Sequence, residues 1–325
     1  MSTTAHFRPV ADTGLSIAPL VFGGNVFGWT ADRATSFAIL DRLLDAGLTT
    51  IDTADLYSRW APGNQGGESE TLIGDWMHQR GVRERIQLIT KVGSDMGDAG
   101  TGLSAAHIER AAEASLKRLR TDRIDIYFSH RPDDSVPQVE TLAAYQRLIA
   151  AGKVRIIGAS NFSAVQLREA LALAQSQGLP RYDILQPGYN LFDRAGYEGG
   201  LRDLAIEQGL AVIPFYALAA GFLTGKYRSQ ADLAQSPRGA AIGEKYLNPR
   251  GRRILAALDE VAARHAAQPG EVALAWLMAR PGVTAPIASA SRVEQIDGLV
   301  AAMRLALGAG DIAALDAASA PEAAP

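Results

Sequence analysis

Thr49-Thr50-Ile51-Asp52-Thr53-Ala54-Asp55-Leu56-Tyr57 is the stretch from which this chain can be read. Thr50, Ile51 and Thr53 favour extended backbone, so it begins as a short strand. It ends with an acid, Asp52, and a phenol, Tyr57, five residues apart. On a helix that spacing would put the two side chains on different faces. A strand that stops near Ala54 and opens into a loop can bring both to one mouth. An acid beside a phenol becomes useful when a cation joins them, because nearby positive charge favours the phenolate. Such a pair needs that cation, a second proton donor and a cofactor site from the rest of the chain.

Outward from this strand one pattern recurs. A short apolar run with β-branched residues is followed by a loop and then by a helical stretch rich in Ala, Leu and Arg. The runs are Ala18–Gly23, Thr49–Ala54, Ile86–Val92, Ile124–His130, Val154–Ser160, Ile184–Pro187, Leu210–Tyr216 and Val283–Ser289. Helices are expected over roughly 33–46, 68–80, 104–119, 138–151, 163–177, 198–208, 252–266 and 270–280, and Pro269 to Glu271 is a helix start with Pro in the first turn. Strands alternating with helices imply a parallel sheet. Eight such units predict an α/β fold, a closed (β/α)8 TIM barrel. A doubly wound open sheet is the alternative, but no strand is followed by G-x-G-x-x-G; Gly23-Gly24-Asn25 through Gly28 has the wrong spacing. Before the first unit, Phe7–Val10, a turn at Asp12-Thr13-Gly14 and Leu15-Ser16 read as an N-terminal β-hairpin able to plug the barrel bottom. No composition shift marks a boundary, so residues 1–325 are expected to form one domain. Two loops are longer than a barrel needs, 55–67 and 227–250, and long loops on a barrel belong to its active face. The tail from Ala317 to Pro325 is Ala/Pro-rich and expected to fray.

Composition narrows the class. At 325 residues, 47% hydrophobic and 21% charged, the chain can bury a large core. A net charge of −3 and a pI near 6.0 give no nucleic-acid footprint. The absence of cysteine excludes disulfides and thiolate metal sites and points mildly to the cytoplasm. Met1 to His6 lacks a basic region followed by an apolar run, so no signal peptide is expected, and no apolar run reaches the length of a membrane span. No metal site is expected, and the oligomeric state is left open.

In a barrel, functional groups sit at the C-terminal ends of the strands. Here those ends are Asp52 and Tyr57, Thr90-Lys91-Val92, Ser129-His130-Arg131, Ser160-Asn161, Gln186-Pro187 and Phe215-Tyr216. Taken singly, each fits a bland role: a solvated lysine, a hydrogen-bonded histidine, an aspartate capping a helix, a tyrosine packed in a loop. Polar or aromatic groups at the same end of successive strands are much less expected by accident.

The motifs resemble the aldo-keto reductase superfamily over nearly the whole chain. They are Gly47 through Tyr57, Gly67-Glu68-Ser69-Glu70-Thr71-Leu72-Ile73-Gly74, Thr90-Lys91, Ile124 through Pro132, Gly158-Ala159-Ser160-Asn161-Phe162, Gln186 through Asn190, Gly221-Phe222-Leu223-Thr224-Gly225-Lys226 and Ala290-Ser291-Arg292 through Gln295. The likeness is to the bacterial branch of longer reductases, related to potassium-channel β subunits. It implies a tetrad of Asp52, Tyr57, Lys91 and His130. A carbonyl that accepts a hydride develops negative charge on oxygen, and Tyr57 would supply the proton. A free phenol titrates at about 10 and needs help near neutral pH. Lys91 would lower it, Asp52 would hold Lys91 charged, and His130 would donate a hydrogen bond to the carbonyl oxygen.

The same resemblance implies a nicotinamide cofactor in the barrel mouth. Its carboxamide would be held by Ser160, Asn161 and Gln186, with Phe215 stacking on the ring and Tyr216 at the next position, where relatives usually have Ser. Ala217, Leu218, Ala219 and Gly221 would offer N–H groups to the pyrophosphate, with Lys226 nearby, and Gly24 and Asn25 would meet the ribose-nicotinamide end. Ser289, Ser291, Arg292 and Gln295 would hold the adenosine half. Arg292 can pair with a 2′-phosphate, which favours NADP(H) over NAD(H). Relatives continue with an acid and an Asn that hold the adenine, where this chain has Gly298 and Leu299.

The implied activity is NADPH-dependent reduction of an aldehyde or ketone, reversible toward a secondary alcohol. The partner is then a small carbonyl or alcohol bounded by Trp29, Trp60 and the two long loops, with no nucleic acid and no membrane. Two other readings remain: a nucleotide-sensing accessory subunit with slow turnover, and a Schiff-base aldolase using Lys91, which pairing with Asp52 would oppose.

Overall fold

The structure is a computed structural model describing residues 7–320. Residues 1–6 and 321–325, the latter part of the tail expected to fray, lie outside the described residues. Strand β1 (Arg8–Pro9) pairs antiparallel with β2 (Ser16–Ile17), and together they form the expected hairpin. Eight parallel strands follow: β3 (Val21–Gly23), β4 (Thr50–Asp52), β5 (Gln87–Val92), β6 (Ile124–Ser129), β7 (Val154–Ser160), β8 (Tyr182–Gln186), β9 (Ala211–Val212) and β10 (Ile287–Ala288). Their order is β10-β3-β4-β5-β6-β7-β8-β9. The two ends meet where Thr284 N donates to Val212 O at 2.7 Å and Ile287 N to Pro214 O at 2.8 Å. The sheet therefore curls into the (β/α)8 arrangement.

Each apolar run contains one of these strands except Ile184–Pro187, whose strand β8 begins two residues earlier, at Tyr182. The last two are much shorter than their runs, Leu210–Tyr216 and Val283–Ser289, because Pro214 and Pro286 lack the N–H that a continuous ladder needs. Both prolines still accept, Pro214 from Ile287 and Pro286 from Val21.

The helices between strands are α1 (Arg33–Asp45), α2 (Glu68–Arg80), α3 (Ala105–Leu119), α4 (Gln138–Ala150), α5 (Ala164–Gln177), α6 (Gly200–Glu207), α7 (Gly239–Tyr246), α8 (Pro249–His265) and α9 (Pro269–Met278), with α10 (Gln295–Arg304) and α11 (Ala309–Ser319) closing the described chain. Sequence signals set several starts. Asp32 accepts Thr35 N to cap α1, and Ser163 and Gln166 form a capping box on α5. Three expectations are corrected. The 227–250 segment is not open loop: it holds a 3-10 turn over Gln230–Gln235 and all of α7. Helix α8 begins at Pro249 rather than 252, because Asn248 accepts Gly251 N at 2.9 Å and Pro249 opens the helix. Residues 317–319 of the tail are helical in α11, whose Asp316 accepts Trp276 Nε1 and Arg280 Nη1, both at 2.9 Å.

One apolar layer lies between sheet and helices, and a second fills the barrel. The inner one joins Val10, Leu15 and Ile17 of the hairpin to Val21, Ile89, Ile126, Phe128, Ile184, Ala211, Ile213, Ala285 and Ile287. The hairpin thus plugs the bottom, where Arg8 Nη1 also donates to Thr284 O at 2.7 Å. Phe128 reaches across to β7, and a Cβ on Gly158 would lie 2.4 Å from its Cε1. Gly158→Ala is therefore expected to destabilise the barrel by about 1–3 kcal/mol through overpacking. Thermal unfolding would read this as a lower midpoint with unchanged far-UV dichroism; an unchanged midpoint would mean Phe128 moves aside at no cost.

Candidate active site

Strand side chains alternate between the two faces, so the inner-core residues predict which later residues point inward. Two positions beyond Ile89, Phe128, Gly158, Ile184, Ile213 and Ile287 stand Lys91, His130, Ser160, Gln186, Phe215 and Ser289. Asp52 and Gly23 complete the ring from β4 and β3, paired in register. Almost every polar strand-end residue singled out from the sequence is thereby brought into one layer at the barrel mouth.

Within that layer Lys91 is the hub, and it is fully buried. Its Nζ donates to Asp52 Oδ2 at 2.7 Å, Thr53 O at 2.7 Å and Tyr57 Oη at 2.9 Å. An ammonium has three donors, and here three oxygens receive them. Tyr57 Oη lies 3.1 Å from Asp52 Oδ2 and donates to it. Burial lowers the Lys91 pKa, and the Asp52 charge opposes that shift. The expectation that Lys91 draws the Tyr57 phenol down is corrected: burial and the adjacent Asp52 carboxylate push it well above the usual value. Tyr57 therefore holds its proton in the resting protein.

The His130 and Tyr57 rings meet edge-on with centroids 6.2 Å apart. His130 Nδ1 is buried with no hydrogen-bond partner. Burial, together with Lys91 and Arg131, drives the imidazole pKa well below its ordinary value. It is thus neutral near pH 7, with one N–H to donate.

The amide-binding group is partly rearranged. Gln186 Nε2 donates one of its two N–H groups to Asp52 Oδ1 at 2.9 Å, which ties the amide to the Asp52–Lys91 pair. Ser160 Oγ donates to Gln186 O at 2.9 Å, and Asn161, held at a left-handed φ of 61°, donates to His130 O at 2.8 Å. Phe215 sits beside Gly188, where a Cβ would come within 3.3 Å of its ring.

The turn after Phe215 is unusually strained. Tyr216, Ala219 and Ala220 all adopt positive φ without being glycine, and Gly221 joins them. Asn190 Nδ2 holds the Tyr216 carbonyl at 3.0 Å. The N–H groups of Ala219 and Gly221 are used inside the turn, on Tyr216 O at 2.7 Å and Leu218 O at 2.8 Å, which corrects their expected role. Those of Ala217 and Leu218 have no partner among the described residues. Gly24 is likewise committed: its N–H goes to Asp52 O and its carbonyl accepts Ser69 Oγ. Asn25 accepts from Ser289 Oγ at 2.7 Å, and its own amide donor is unpartnered among the described residues.

Further along the rim, Gln295 Oε1 accepts Ser291 N and Arg292 N at 2.8 and 3.1 Å, so Gln295 orders this turn. Leu299 is buried in the core, and Gly298 faces Glu271. Lys226 and Arg292 form no ion pair among the described residues. Nor does Arg238, which the sequence reading missed; its guanidinium stacks 4.6 Å above the Trp29 ring. An arginine in a polar loop carries no signal of its own, and only the folding of α7 places it there. These unpaired cations and free N–H groups fit a ligand carrying phosphates. Beside them Trp29 and Trp60 meet edge-on at 5.6 Å, with Trp60 6.0 Å from Tyr57.

Fold and mouth together define a (β/α)8-barrel oxidoreductase. The chain belongs to the aldo/keto reductase family, whose sequence profile matches residues 19–320. Among its relatives is an uncharacterized oxidoreductase, YrpG, of Bacillus subtilis, 34% identical over 91% of this chain and 90% of that one. The L-glyceraldehyde 3-phosphate reductase of Escherichia coli is 31% identical over 92% and 87%. A putative voltage-gated potassium channel subunit beta of Schizosaccharomyces pombe is 31% identical over 91% and 89%. No single described helix is long and apolar enough to cross a membrane.

Proposed function

We propose that this protein is an NADP(H)-dependent carbonyl reductase that converts an aldehyde or ketone to an alcohol and can oxidise a secondary alcohol in reverse. The observation that carries this is the Asp52–Lys91–Tyr57 chain beside a neutral His130 at the barrel mouth. The nicotinamide, when bound, supplies the hydride. Tyr57 gives its proton to the carbonyl oxygen. Lys91, 2.9 Å from the phenol oxygen, stabilises the phenolate left behind, and Asp52 keeps the ammonium in place. His130 donates its N–H to the same carbonyl oxygen and fixes its direction.

Ser160, Asn161 and the Gln186 carbonyl oxygen would hold the carboxamide, with Phe215 against the ring. Ala217 N, Leu218 N, Lys226 and Arg238 would hold the pyrophosphate, and Arg292 a 2′-phosphate. With Gly298 and Leu299 in place of the usual adenine contacts, affinity would rest on the phosphates. Arg238→Ala is therefore expected to weaken NADPH binding about tenfold or more. Arg292→Ala would weaken NADPH but hardly affect NADH. Fluorescence titrations with both nucleotides check this, and an Arg292→Ala effect equal for the two would remove the preference for NADP(H).

The exposed Trp60 indole and Trp29 suit apolar or cyclic carbonyls. Purified protein with NADPH and a panel of aldehydes, ketones and secondary alcohols tests the reading at the nicotinamide absorbance band. Turnover supports it. Nucleotide binding without turnover on any carbonyl would favour an accessory subunit, and binding of neither nucleotide would end the oxidoreductase reading.

A further inference from the structure

Three buried carboxyls lie around Lys91, and the chemistry above uses only Asp52. Asp55 and Glu70 are 3% and 0% exposed. Glu70, on the first turn of α2, accepts from Thr90 Oγ1 at 2.5 Å and from Arg118 Nε at 2.6 Å. Thr90 is the neighbour of Lys91 and points the opposite way, toward the helices. Asp55 opens the loop that leads to Tyr57. Its backbone N–H lies 3.4 Å from Lys91 O, and its Oδ1 accepts Leu56 N at 2.6 Å. Asp55 makes no ion pair among the described residues, and Arg118, the guanidinium that acts on it, is spent on Glu70.

The charges acting on Asp55 are Lys91 from the sheet, Glu70 from α2 and Arg118 from α3, and Lys91 in turn faces Asp52. Tyr127 of β6, whose hydroxyl is buried without a partner, and Tyr145 of α4 complete the titratable surroundings. Two cations thus face three carboxyls. A buried group of this kind balances when one carboxyl keeps its proton. Asp55, lacking a cation of its own, is that carboxyl. Burial, reinforced by the Glu70 charge, pushes it up to about 8.

We propose that Asp55 is a positioning residue of the Tyr57–Lys91–Asp52 chain, acting through Lys91: the proton on its carboxyl sets the charge against which Lys91 and Tyr57 titrate. While Asp55 is neutral, Lys91 answers to Asp52 first and more weakly to Glu70. When Asp55 ionises, the added negative charge holds Lys91 protonated and keeps the Tyr57 proton in place to higher pH. Proton donation then survives into alkaline conditions that would otherwise disable it. The inference rests on the reductase reading for its kinetic consequence, but the titration itself can be observed without turnover.

Asp55→Asn is the informative variant, since the amide oxygen can still accept Leu56 N and the shape is kept. Near pH 6.5 its reduction rate is expected within about twofold of the parent. The alkaline limb of its profile is expected about one pH unit lower, because the added charge is missing. Carboxyl ¹³C resonances of the wild-type protein, with Asp55 assigned through the Leu56 amide, should show a midpoint near 8. Glu70→Gln should move that midpoint down. An Asp55 midpoint near the ordinary value of about 4, or superimposable alkaline limbs for parent and Asp55→Asn, would overturn the proposal. Failure to turn over any carbonyl would instead strike the reductase reading, and the carboxyl titration would still decide the role of Asp55.

Discussion

Tyr57→Phe is expected to lower carbonyl reduction by about three orders of magnitude while leaving nucleotide affinity near that of the parent. General acid catalysis by one positioned group is worth about 10²–10⁴-fold. Here the single hydroxyl that would reach the substrate oxygen in the proposed reaction lies 2.9 Å from Lys91 Nζ and 3.1 Å from Asp52 Oδ2. The phenyl ring keeps its contacts with His130 and Trp60, so the mouth keeps its shape. Lys91 loses one acceptor but retains Asp52 and Thr53 O, so the stability cost is about 1 kcal/mol. Single-turnover rates with saturating NADPH measure the chemical step apart from binding. A loss below about tenfold would mean that water or His130 delivers the proton, and Tyr57 would lose its role as acid.

Lys91→Met is expected to produce the largest loss of stability in the barrel, about 3–5 kcal/mol, together with loss of turnover. The reason is the carboxylate it leaves behind. Asp52 is 1% exposed and loses the ammonium 2.7 Å away, keeping only neutral donors in Gln186 and Tyr57. An uncompensated buried charge costs far more than the pair contributed. The double variant Asp52→Asn with Lys91→Met should therefore recover much of the loss, although neither protein reduces a carbonyl. Denaturant unfolding of the parent, both single variants and the double variant measures this coupling. If the double variant is no more stable than Lys91→Met, Asp52 is relieved some other way and the pair is not what ties the mouth together.

The eight strands were legible because each is a short β-branched run followed by a polar strand end, and that order carries the period-two rule into the mouth. Asp52, Lys91, His130, Ser160, Gln186 and Phe215 could be picked out for the same reason. Other features left no local mark. Helix α7 hides in a polar segment around Pro237 and Gly239, and α11 in an Ala-rich stretch whose last residues, 317–319, read as the start of a fraying tail; contacts such as Asp316 with Trp276 and Arg280 hold it. The strain at Tyr216, Ala219 and Ala220 is invisible because none is glycine, the residue that normally announces a positive φ. Consequently nothing local in the sequence shows that the turn itself consumes the N–H groups of Ala219 and Gly221.

What the sequence by itself determined is the order of strands and helices, the strand end at which each candidate residue stands, and the family. These follow from local propensity and alternation, which act over a few residues. Only the tertiary structure decided the charge states at the mouth. A sequence places a phenol, a lysine and three acids near one another, but their pKa values depend on burial and on which donors each acid has already claimed. The direction of the Tyr57 shift, the Arg238 guanidinium stacked on Trp29, and Asp55 left without an ion pair among the described residues while Arg118 serves Glu70 all arise from packing between segments far apart in the chain.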